Sequence, residues 1–172
     1  MNASASHPAD APADRLEAFK QAFRRHAAGV AVVTSLRPDG HPVGFTATSL
    51  ASLSATPPLA TFNMARISSA WPAMTVGNHV AIHTLGPRTR FLAELMAGDH
   101  DVRFDGEHWH PGPHGLPILE GVTAWMLGAV VEVHPIEESA VIVVAIEDGG
   151  LGPEDEALLY HERQYRKPGE MV

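Results

Sequence analysis

Short β-forming segments separated by turns dominate this sequence, and that pattern restricts the folds that the chain can adopt. Six such segments occur, at residues 30–36, 41–49, 59–63, 80–85, 124–134 and 140–147. They do not alternate with helices as strand–helix–strand units do, so a parallel sheet is disfavoured. The sequence therefore predicts a mainly β fold, an antiparallel barrel with peripheral α-helices.

Proline and glycine mark the turns between these strands. Residues 37–40 read Arg-Pro-Asp-Gly, in which proline presets φ and Asp-Gly tolerates positive φ. This turn predicts a hairpin of the segments 30–36 and 41–49. Pro57 and Pro58 have no N–H to donate to a strand ladder, so they are expected to fix the start of the third strand.

An amphipathic helix is predicted before the first strand. Asp14 and Glu17 have the spacing of a capping box, and apolar residues follow at helical spacing over 15–27. Residues 1–13 are rich in Ala, Ser, Pro and Asp, which predicts a disordered leader. The remaining length suits one domain over 14–167, followed by a short tail at residues 168–172.

Two further helices and a long loop are predicted within the strand pattern. Ser68 or Ser69 is expected to cap a short helix over 68–76, with a proline in its first turn. A second amphipathic helix is expected over 88–96 and closes at a glycine. Residues 98–121 contain many Gly, Pro and His residues and predict a long irregular loop, a type of segment that is often functional.

The composition disfavours several classes of protein. A net charge of −8 argues against nucleic acid as a partner, because neutralising phosphates requires a basic surface. Without cysteine the chain has no disulfide, thiolate nucleophile or iron–sulfur cluster. No apolar run approaches the roughly 20 residues that span a bilayer, and no secretory signal is apparent. A cytoplasmic protein that does not enter the membrane is therefore expected.

Sequence motifs for nucleotide and zinc chemistry are missing. The chain contains neither G-x-G-x-x-G nor G-x-x-x-x-G-K-[ST], the phosphate motifs of Rossmann and P-loop proteins. His161 and Glu162 begin an H-E-x-x-H pattern, but Tyr165 stands where the second histidine is required. A zinc peptidase is therefore excluded.

Hydroxyl side chains cluster in the segment 44–49, which reads Gly-Phe-Thr-Ala-Thr-Ser. Thr46 and Thr48 share one face of a strand. Where such a strand ends, hydroxyls and freed backbone N–H groups converge, and they form the donor set that a phosphate or an isoalloxazine edge requires. The alternative is a threonine-rich strand with ordinary β propensity.

A second polar group lies between the third strand and the short helix. It consists of Asn63, Arg66, Ser68 and Ser69. Arg66 can direct two donors at one phosphate, and serines at a helix N-terminus add hydroxyls and a favourable dipole. The alternative is a helix cap beside a solvated arginine.

The long loop is rich in histidine, with residues His100, His108, His110 and His114. His108 and His110 can in principle chelate a metal from one side of a strand. However, the Gly-Pro pairs of the loop scatter the ring directions, and no cysteine supports a site. No metal site is therefore expected, and the pair His79 and His83 is interpreted as strand surface.

In their collinear order these segments resemble the flavin reductase family, the small reductase partners of two-component flavin monooxygenases. Residues 19–33, FKQAFRRHAAGVAVV, are similar to that family's first helix and strand, and residues 42–50, PVGFTATSL, to its flavin-binding segment. The other pieces of the match are the Pro-Pro-Leu strand entry at 54–59, the phosphate loop at 66–69, the Arg-Phe segment at 98–104, and residues 121–125 and 158–161.

The resemblance implies an antiparallel Greek-key split β-barrel, the FMN-binding split barrel, and a homodimer with flavin near the subunit interface. It implies an NAD(P)H:flavin oxidoreductase that passes hydride from NADH or NADPH to FMN or FAD. Hydride then moves directly between the two cofactors, so no general base is required. The reduced flavin would serve a partner monooxygenase.

Carried over residue by residue, the resemblance also assigns contacts. The flavin ring and ribityl chain would contact Thr46, Ala47, Thr48, Ser49 and Leu50. The phosphate end would contact Asn63, Arg66, Ser68 and Ser69. Arg103 and Phe104 would add a further flavin contact. On the nicotinamide side the resemblance implies Tyr165 and, as the catalytic candidate, His161.

One departure from the family pattern leaves a second function open. The family usually carries Gly-Asp-His before its penultimate long strand, where this chain has Glu137, Glu138 and Ser139. Serine does not titrate near neutral pH as histidine does. The alternative is a flavin-binding protein without nicotinamide-dependent reductase activity, such as a carrier or a repurposed flavoprotein.

Two weaker alternatives share the split-barrel type. One is haem binding through one of the 11 histidines as axial ligand. The other is the pyridoxamine-phosphate oxidase group, whose order of segments this chain resembles less than that of the reductases.

Overall fold

This computed structural model describes residues 12–169, which form two α-helices and twelve strands. Helix α1 spans Pro12–Arg25 and helix α2 spans Arg90–Ala97. The strands are β1 Ala28–Gly29, β2 Ala31–Leu36, β3 Pro42–Ala47, β4 Ala51–Ala55, β5 Pro58–Ala65, β6 His79–Thr84, β7 Trp109–Pro111, β8 Pro117–Leu119, β9 Ala124–Ile136, β10 Ser139–Leu151, β11 Leu159–His161 and β12 Gln164–Arg166. The predicted mainly β fold with peripheral helices is confirmed.

Seven strands form one sheet in the order β3–β2–β6–β9–β10–β5–β4. The hairpin of β9 and β10 is its longest ladder and runs from the pair Ser139–Ile136 to the pair Leu151–Ala124. Two small sheets, β1–β11–β12 and β7–β8, lie beside it. The ladders of all three sheets are antiparallel, as the lack of strand–helix–strand units predicted.

The connection between β3 and β4 makes the large sheet curl. These strands lie at opposite edges of the sheet, yet only Thr48, Ser49 and Leu50 separate them in sequence. Four Cα–Cα steps reach at most about 14 Å. A flat seven-stranded sheet would hold its edges about 28 Å apart, because six inter-strand spacings of about 4.7 Å lie between them. The edges therefore meet across a short gap, which gives the split barrel that the resemblance implied.

Strand β2 is covered by apolar side chains on both faces. Val33 packs in the barrel interior with Phe62 and Ile142, whereas the adjacent Val32 packs against Leu92 of α2. All five side chains are fully buried. Because neighbouring strand residues point to opposite faces, this double burial explains the continuous apolar run of β2.

Several local predictions are confirmed. The turn at 37–40 joins β2 and β3, with Gly40 at a φ of +82° and its N–H donating to the Arg37 carbonyl oxygen at 2.8 Å. Strand β5 begins at Pro58, and α2 is capped by Gly98. Neither α1 nor α2, the helices described between residues 12 and 169, has the length and apolar character needed to cross a bilayer.

The structure corrects the predictions for two helices. Helix α1 begins at Pro12, so Asp14 lies in its first turn and is not the N-cap, because proline is tolerated at a helix start. It ends at Arg25 and not at residue 27. The helix predicted over 68–76 is a single 3₁₀ turn over Trp71–Ala73, without a side-chain cap.

Two segments at the ends of the chain fall largely outside the described residues. Residues 1–11 of the expected leader lie there, while its last two residues open α1. Residues 170–172 of the expected tail lie there as well.

The segment 98–121 contains more regular structure than predicted. Strands β7 and β8 pair within it, with Trp109 opposite Leu119, and 3₁₀ turns form over His100–Val102 and Pro113–Gly115. The strands have three residues each and contain proline, so they carry no periodic signal. Strand β4 was predicted neither as a strand nor as a sheet edge, because its residues Ala-Ser-Leu-Ser-Ala alternate between apolar and polar but include no β-branched or aromatic side chain.

His83 is fully buried, so its interpretation as strand surface was wrong. Its Nδ1 lies 3.2 Å from the Val32 carbonyl oxygen, and the Leu119 N–H donates to its Nε2 at 3.2 Å. A ring that accepts at Nε2 and donates at Nδ1 is the neutral form. Burial lowers the pKa of His83 from 6.5 to about 4, and the bond to Val32 opposes this shift.

The buried His83 is expected to make the stability of the fold depend on pH. Its pKa is lower in the folded chain, so between about pH 4 and 6.5 the unfolded chain binds more protons. We expect the free energy of unfolding to fall by roughly 3 kcal/mol from this group as pH drops through that window. Chemical denaturation of wild type and His83→Gln at several pH values measures the effect. If the free energy of unfolding depends on pH equally in the two proteins between pH 4 and 6.5, the prediction is contradicted.

Candidate functional site

The gap between β3 and β4 exposes backbone groups that have no place in a ladder. The β2–β3 ladder ends at Ala47 and the β4–β5 ladder begins at Ala51, so within the described chain the N–H groups of Thr48, Ser49 and Leu50 have no ladder partner. Thr48 is exposed, and Ser49 and Leu50 are half-buried. Consecutive free donors beside hydroxyl groups suit a polar heterocycle or an anion.

Ser49 bridges the gap by bonding to β5. The Asn63 N–H donates to Ser49 Oγ at 2.8 Å, and the Ser49 hydroxyl donates to the Asn63 carbonyl oxygen at 3.3 Å. The structure therefore brings these two predicted site residues together. It also places the side chain of Asn63 at the surface beside the gap.

Thr46 and Thr48 do not offer their hydroxyls from one strand face as predicted. The Thr46 hydroxyl donates to the Ala93 carbonyl oxygen of α2 at 2.6 Å, and Ala47 is buried. Thr48 lies beyond the end of β3, where the strand alternation no longer applies. Thr46 therefore ties β3 to α2, and Thr48 is left at the gap.

Arg66 is held at the turn between β9 and β10. Its Nη1 donates to the Glu137 carbonyl oxygen at 3.0 Å, and its backbone N–H donates to the Glu138 carbonyl oxygen at 2.8 Å. The guanidinium carbon lies 5.6 Å from the centroid of the Trp71 ring, which is a cation–π contact. The side chain is thus oriented while most of its five N–H donors stay available.

Arg103 joins three segments of the chain. Its Nη1 donates to the Gly44 carbonyl oxygen at 2.7 Å and lies 3.4 Å from Ser69 Oγ, and its Nη2 donates to the Gly98 carbonyl oxygen at 2.7 Å. Burial lowers the pKa of Arg103, and the Asp99 carboxylate opposes that shift. In the described part of the chain Nε of Arg103 is buried without a hydrogen-bond partner.

A cavity of about 330 Å³ opens beside this arginine and is lined in part by Ser69 and Phe104. The Phe104 ring meets Trp109 edge-on, with centroids 5.5 Å apart. A Cβ on Gly44 would lie 3.2 Å from Phe104 Cζ, so glycine allows β3 to approach this ring closely. The structure therefore brings together three of the predicted site residues, Ser69, Arg103 and Phe104.

His161 and Tyr165 lie on opposite faces of the β11–β12 hairpin. Tyr165 is opposite Tyr160 in the ladder, and its ring centroid lies 5.3 Å from the guanidinium carbon of Arg90. His161 is the next residue after Tyr160, so it points the other way, and its Nε2 lies 3.2 Å from the Arg25 carbonyl oxygen. Burial raises the pKa of Tyr165. The structure therefore separates these two residues.

Sequence reasoning did not find the residues that orient the predicted ones. Trp71 supports Arg66, Gly98 and Gly44 anchor Arg103, and Arg90 covers Tyr165. The contacts of Arg103 use backbone carbonyls, and Arg90 and Tyr165 are distant along the chain. Trp71 lies five residues after Arg66, a spacing that is not typical of a regular side-chain pair. No sequence pattern reports such contacts before the fold is known.

Residues 23–169 match the family described as flavin reductase like domain, and the chain belongs to that family. It is 38% identical over 155 residues to the NADH:FMN oxidoreductase of Rhodococcus erythropolis, and this alignment covers 87% of this chain and 80% of that protein. It is 30% identical over 135 residues to the reductase component of flavin-dependent trigonelline monooxygenase from Acinetobacter baylyi, covering 78% of this chain and 44% of that protein.

Solved structures agree with this assignment. A flavin reductase domain protein from Arthrobacter sp. FB24 superimposes with a TM-score of 0.86 at 45% identity, over 91% of this chain and 98% of that one. The flavin reductase HpaC complexed with NADP⁺ gives a TM-score of 0.80 at 26% identity, over 89% of this chain and 97% of that one. The predicted family and the split-barrel fold are both confirmed.

Proposed function

We propose that this protein is an NAD(P)H:flavin oxidoreductase that transfers hydride from NADH or NADPH to FMN or FAD. The observation that carries the proposal is the barrel gap, where the free N–H groups of residues 48–50 lie beside the Ser49–Asn63 bridge. Relatives named NADH:FMN oxidoreductase and FMN reductase (NADH) support a flavin acceptor and a nicotinamide donor.

The donors around the gap fit a phosphorylated flavin. When bound, flavin supplies the hydride-accepting chemistry, and the protein supplies binding and orientation. The unpartnered Nε of Arg103, next to Ser69, is a buried cationic donor that a polar or anionic ligand group would satisfy. Arg66 adds an exposed, oriented guanidinium.

These observations support a division of roles among the proposed site residues. Backbone N–H groups of Thr48, Ser49 and Leu50 would donate to the ring edge where negative charge develops on reduction. The ribityl and phosphate end would contact the polar group made of Asn63, Arg66, Ser68 and Ser69. Thr46 and Ala47 would fix the position of the segment that leads into residues 48–50, because the Thr46 hydroxyl is bonded to α2.

The nicotinamide side is proposed to lie toward β11. A cavity of about 280 Å³ is lined by both Leu50 at the gap and Leu158, the residue before β11. We retain His161 as the catalytic candidate there. Tyr165 lies on the other face, beside a cavity of about 460 Å³ that Arg90 and two other basic residues line, which suits cofactor phosphates.

A flavin-binding protein without reductase activity is the second candidate function. The observation that favours it is Ser139, which stands where the family usually has a histidine. Ser139 is exposed at the start of β10, opposite Ala65 and next to the turn that holds Arg66. The replacement thus falls at the proposed phosphate end and leaves hydride transfer open to test.

The protein partner is proposed to be a flavin-dependent monooxygenase that receives the reduced flavin, because one relative is the reductase component of such an enzyme. We place the protein in the cytoplasm, where reduced nicotinamides are supplied.

The test of the proposed activity is flavin-dependent oxidation of NADH and NADPH. We expect turnover with FMN or FAD, and rapid bleaching of the flavin band in stopped-flow absorbance. Stoichiometric flavin binding without bleaching by either nicotinamide would favour the second candidate function. A colourless protein that takes up neither FMN nor FAD would refute both.

Arg66 is expected to recognise the flavin phosphate. Arg66→Ala should raise the dissociation constant for FMN roughly tenfold or more, since a charge-assisted bond is worth about 1.5–3 kcal/mol. Riboflavin lacks the phosphate, so its dissociation constant should stay the same. Fluorescence titration measures both, with Lys20→Ala in the exposed face of α1 as a charge-matched control. An equal rise in the dissociation constant for riboflavin would show that Arg66 does not recognise the phosphate.

A homodimer is proposed on the apolar surface next to the gap. A groove of about 550 Å³ there is lined by Leu50, Leu59, Met126 and Ile146, and Leu151 nearby is 92% exposed. Apolar surface of this kind is usually covered by a partner. Light scattering at micromolar concentration should give twice the monomer mass, and Leu151→Glu should lower it. A monomer mass for wild type would refute the dimer.

A further inference from the structure

We propose that His79, His114 and Glu147 form a binding site for a divalent transition-metal ion such as Zn²⁺. Their ligand atoms all lie within 4.8 Å of one another. The three residues come from β6, from the turn between β7 and β8, and from β10. No metal site was expected at these residues, because they are 33 or more positions apart in the sequence and only the fold joins them.

The contacts within this group have the chemistry of a metal site. His79 Nε2 lies 3.3 Å from Glu147 Oε2, and the rings of His79 and His114 are stacked, with centroids 3.8 Å apart and an interplanar angle of 12°. Imidazole nitrogen and carboxylate oxygen are both zinc ligands. Two imidazoles with one carboxylate suit Zn²⁺, Cu²⁺ or Ni²⁺ better than Mg²⁺ or Ca²⁺, which prefer oxygen ligands throughout.

Irregular backbone directs two of the three side chains toward His79. Glu147 is the extra residue of a β-bulge, since Ile146 pairs with Gly128 while Asp148 pairs with Leu127. A bulge changes the direction of the side chain that it carries. In a regular ladder Glu147 would have a partner residue in β9, and its side chain would follow the alternation of β10.

His114 shows the second irregularity. It has a φ of +57°, a conformation that is uncommon for residues other than glycine and that asparagine, aspartate and histidine adopt more often than the rest. Backbone bonds hold its turn: the Gly112 N–H donates to the Leu116 carbonyl oxygen at 2.8 Å, and the Gly115 N–H donates to the Gly112 carbonyl oxygen at 3.0 Å. The turn therefore keeps the His114 ring over His79.

Binding requires one adjustment of the side chains. With two nearly parallel rings, an ion between the nitrogen atoms would lie out of both ring planes. His114 is exposed and His79 is held in the sheet, so we expect His114 to rotate about its Cβ–Cγ bond when the ion binds. The exposure of His114 and Glu147 leaves room for water to complete the coordination.

The proposed metal site lies away from the barrel gap. His79 begins β6. Thr84, five residues further along the strand, lines the cavity of about 280 Å³ that Leu50 also lines at the gap. At about 3.3 Å per residue, this separates the two ends of β6 by roughly 17 Å. The ion is therefore expected to tie β6, β10 and the β7–β8 turn together and to take no part in hydride transfer.

Calorimetric titration of the chelator-treated full chain with Zn²⁺ tests the site. We expect one ion per chain, and at least about tenfold weaker binding in His114→Asn and in Glu147→Gln. Asparagine is chosen because it tolerates positive φ and so preserves the turn. His110→Asn is the matched control, since it removes another histidine–glutamate pair, with Glu120 at 2.6 Å, from the same hairpin.

A second control separates this site from another acidic group. Asp99, His100 and Asp101 also place ligand atoms within 4.8 Å of one another. Binding that is lost in His100→Asn and kept in His114→Asn would place the ion there and overturn the proposal. Absence of Zn²⁺ uptake by wild type at micromolar ion concentrations would overturn it as well.

Electron paramagnetic resonance with Cu²⁺ provides a readout that does not depend on affinity. Wild type should show hyperfine coupling to the nitrogens of two imidazoles, and His114→Asn should retain coupling to one. The circular dichroism spectrum checks that each variant folds. If a variant does not keep the wild-type spectrum, the number of imidazole nitrogens coupled to Cu²⁺ in wild type decides alone. Coupling to no imidazole nitrogen in wild type would contradict the site.

Discussion

The three-residue link between β3 and β4 determines the shape of this protein. It is too short to join the edges of a flat seven-stranded sheet, so the sheet closes on itself. Open sheet edges usually invite pairing with other chains, and here the two edges face each other. Ser49 completes the closure by bonding to Asn63, yet the link itself joins no ladder. The same constraint therefore closes the barrel and creates a row of free N–H donors.

Contacts of β3 outside the ladder hold the strand that leads into this row. Thr46 is bonded to α2, and Gly44 accepts from Arg103, so the strand that leads into the link is fixed at two successive outward positions. Arg103 also puts a partly buried cationic donor against Gly44, on the strand that leads into the link, in a chain of net charge −8. An anionic ligand responds to the local potential more than to net charge, because a cleft with low-dielectric walls focuses the field. An acidic protein can thus bind a phosphorylated cofactor.

The sequence predicted features that local chemistry determines. The Asp-Gly turn at 37–40, the start of β5 at Pro58 and the end of α2 at Gly98 depend on one or two residues each, and all are confirmed. The partner of a side chain depends on the fold instead. The Thr46 hydroxyl, assigned to a ligand from its strand position, bonds to α2, and His83, assigned to the surface, is buried. The strand pattern predicted an antiparallel barrel, and the collinear resemblance added its split form, because the resemblance carries tertiary information that spacing lacks.

His114 lies in a different kind of turn from the other non-glycine residues that have positive φ in the described part of the chain. Between residues 12 and 169, four residues other than glycine have it: His114, Glu137, Glu162 and Arg163. The last three lie in two-residue hairpin turns, which require positive φ at one or both central positions. His114 lies in a longer turn, where the neighbouring Gly115 already supplies a positive φ of 74°. Turn geometry explains all four, because the Gly115 N–H donates to the Gly112 carbonyl oxygen and makes His114 the third residue of a β-turn, after Pro113, where a type II turn requires positive φ. The same turn brings the His114 ring onto His79 beside Glu147, so the local turn chemistry of the loop and the proposed metal site depend on the same residues.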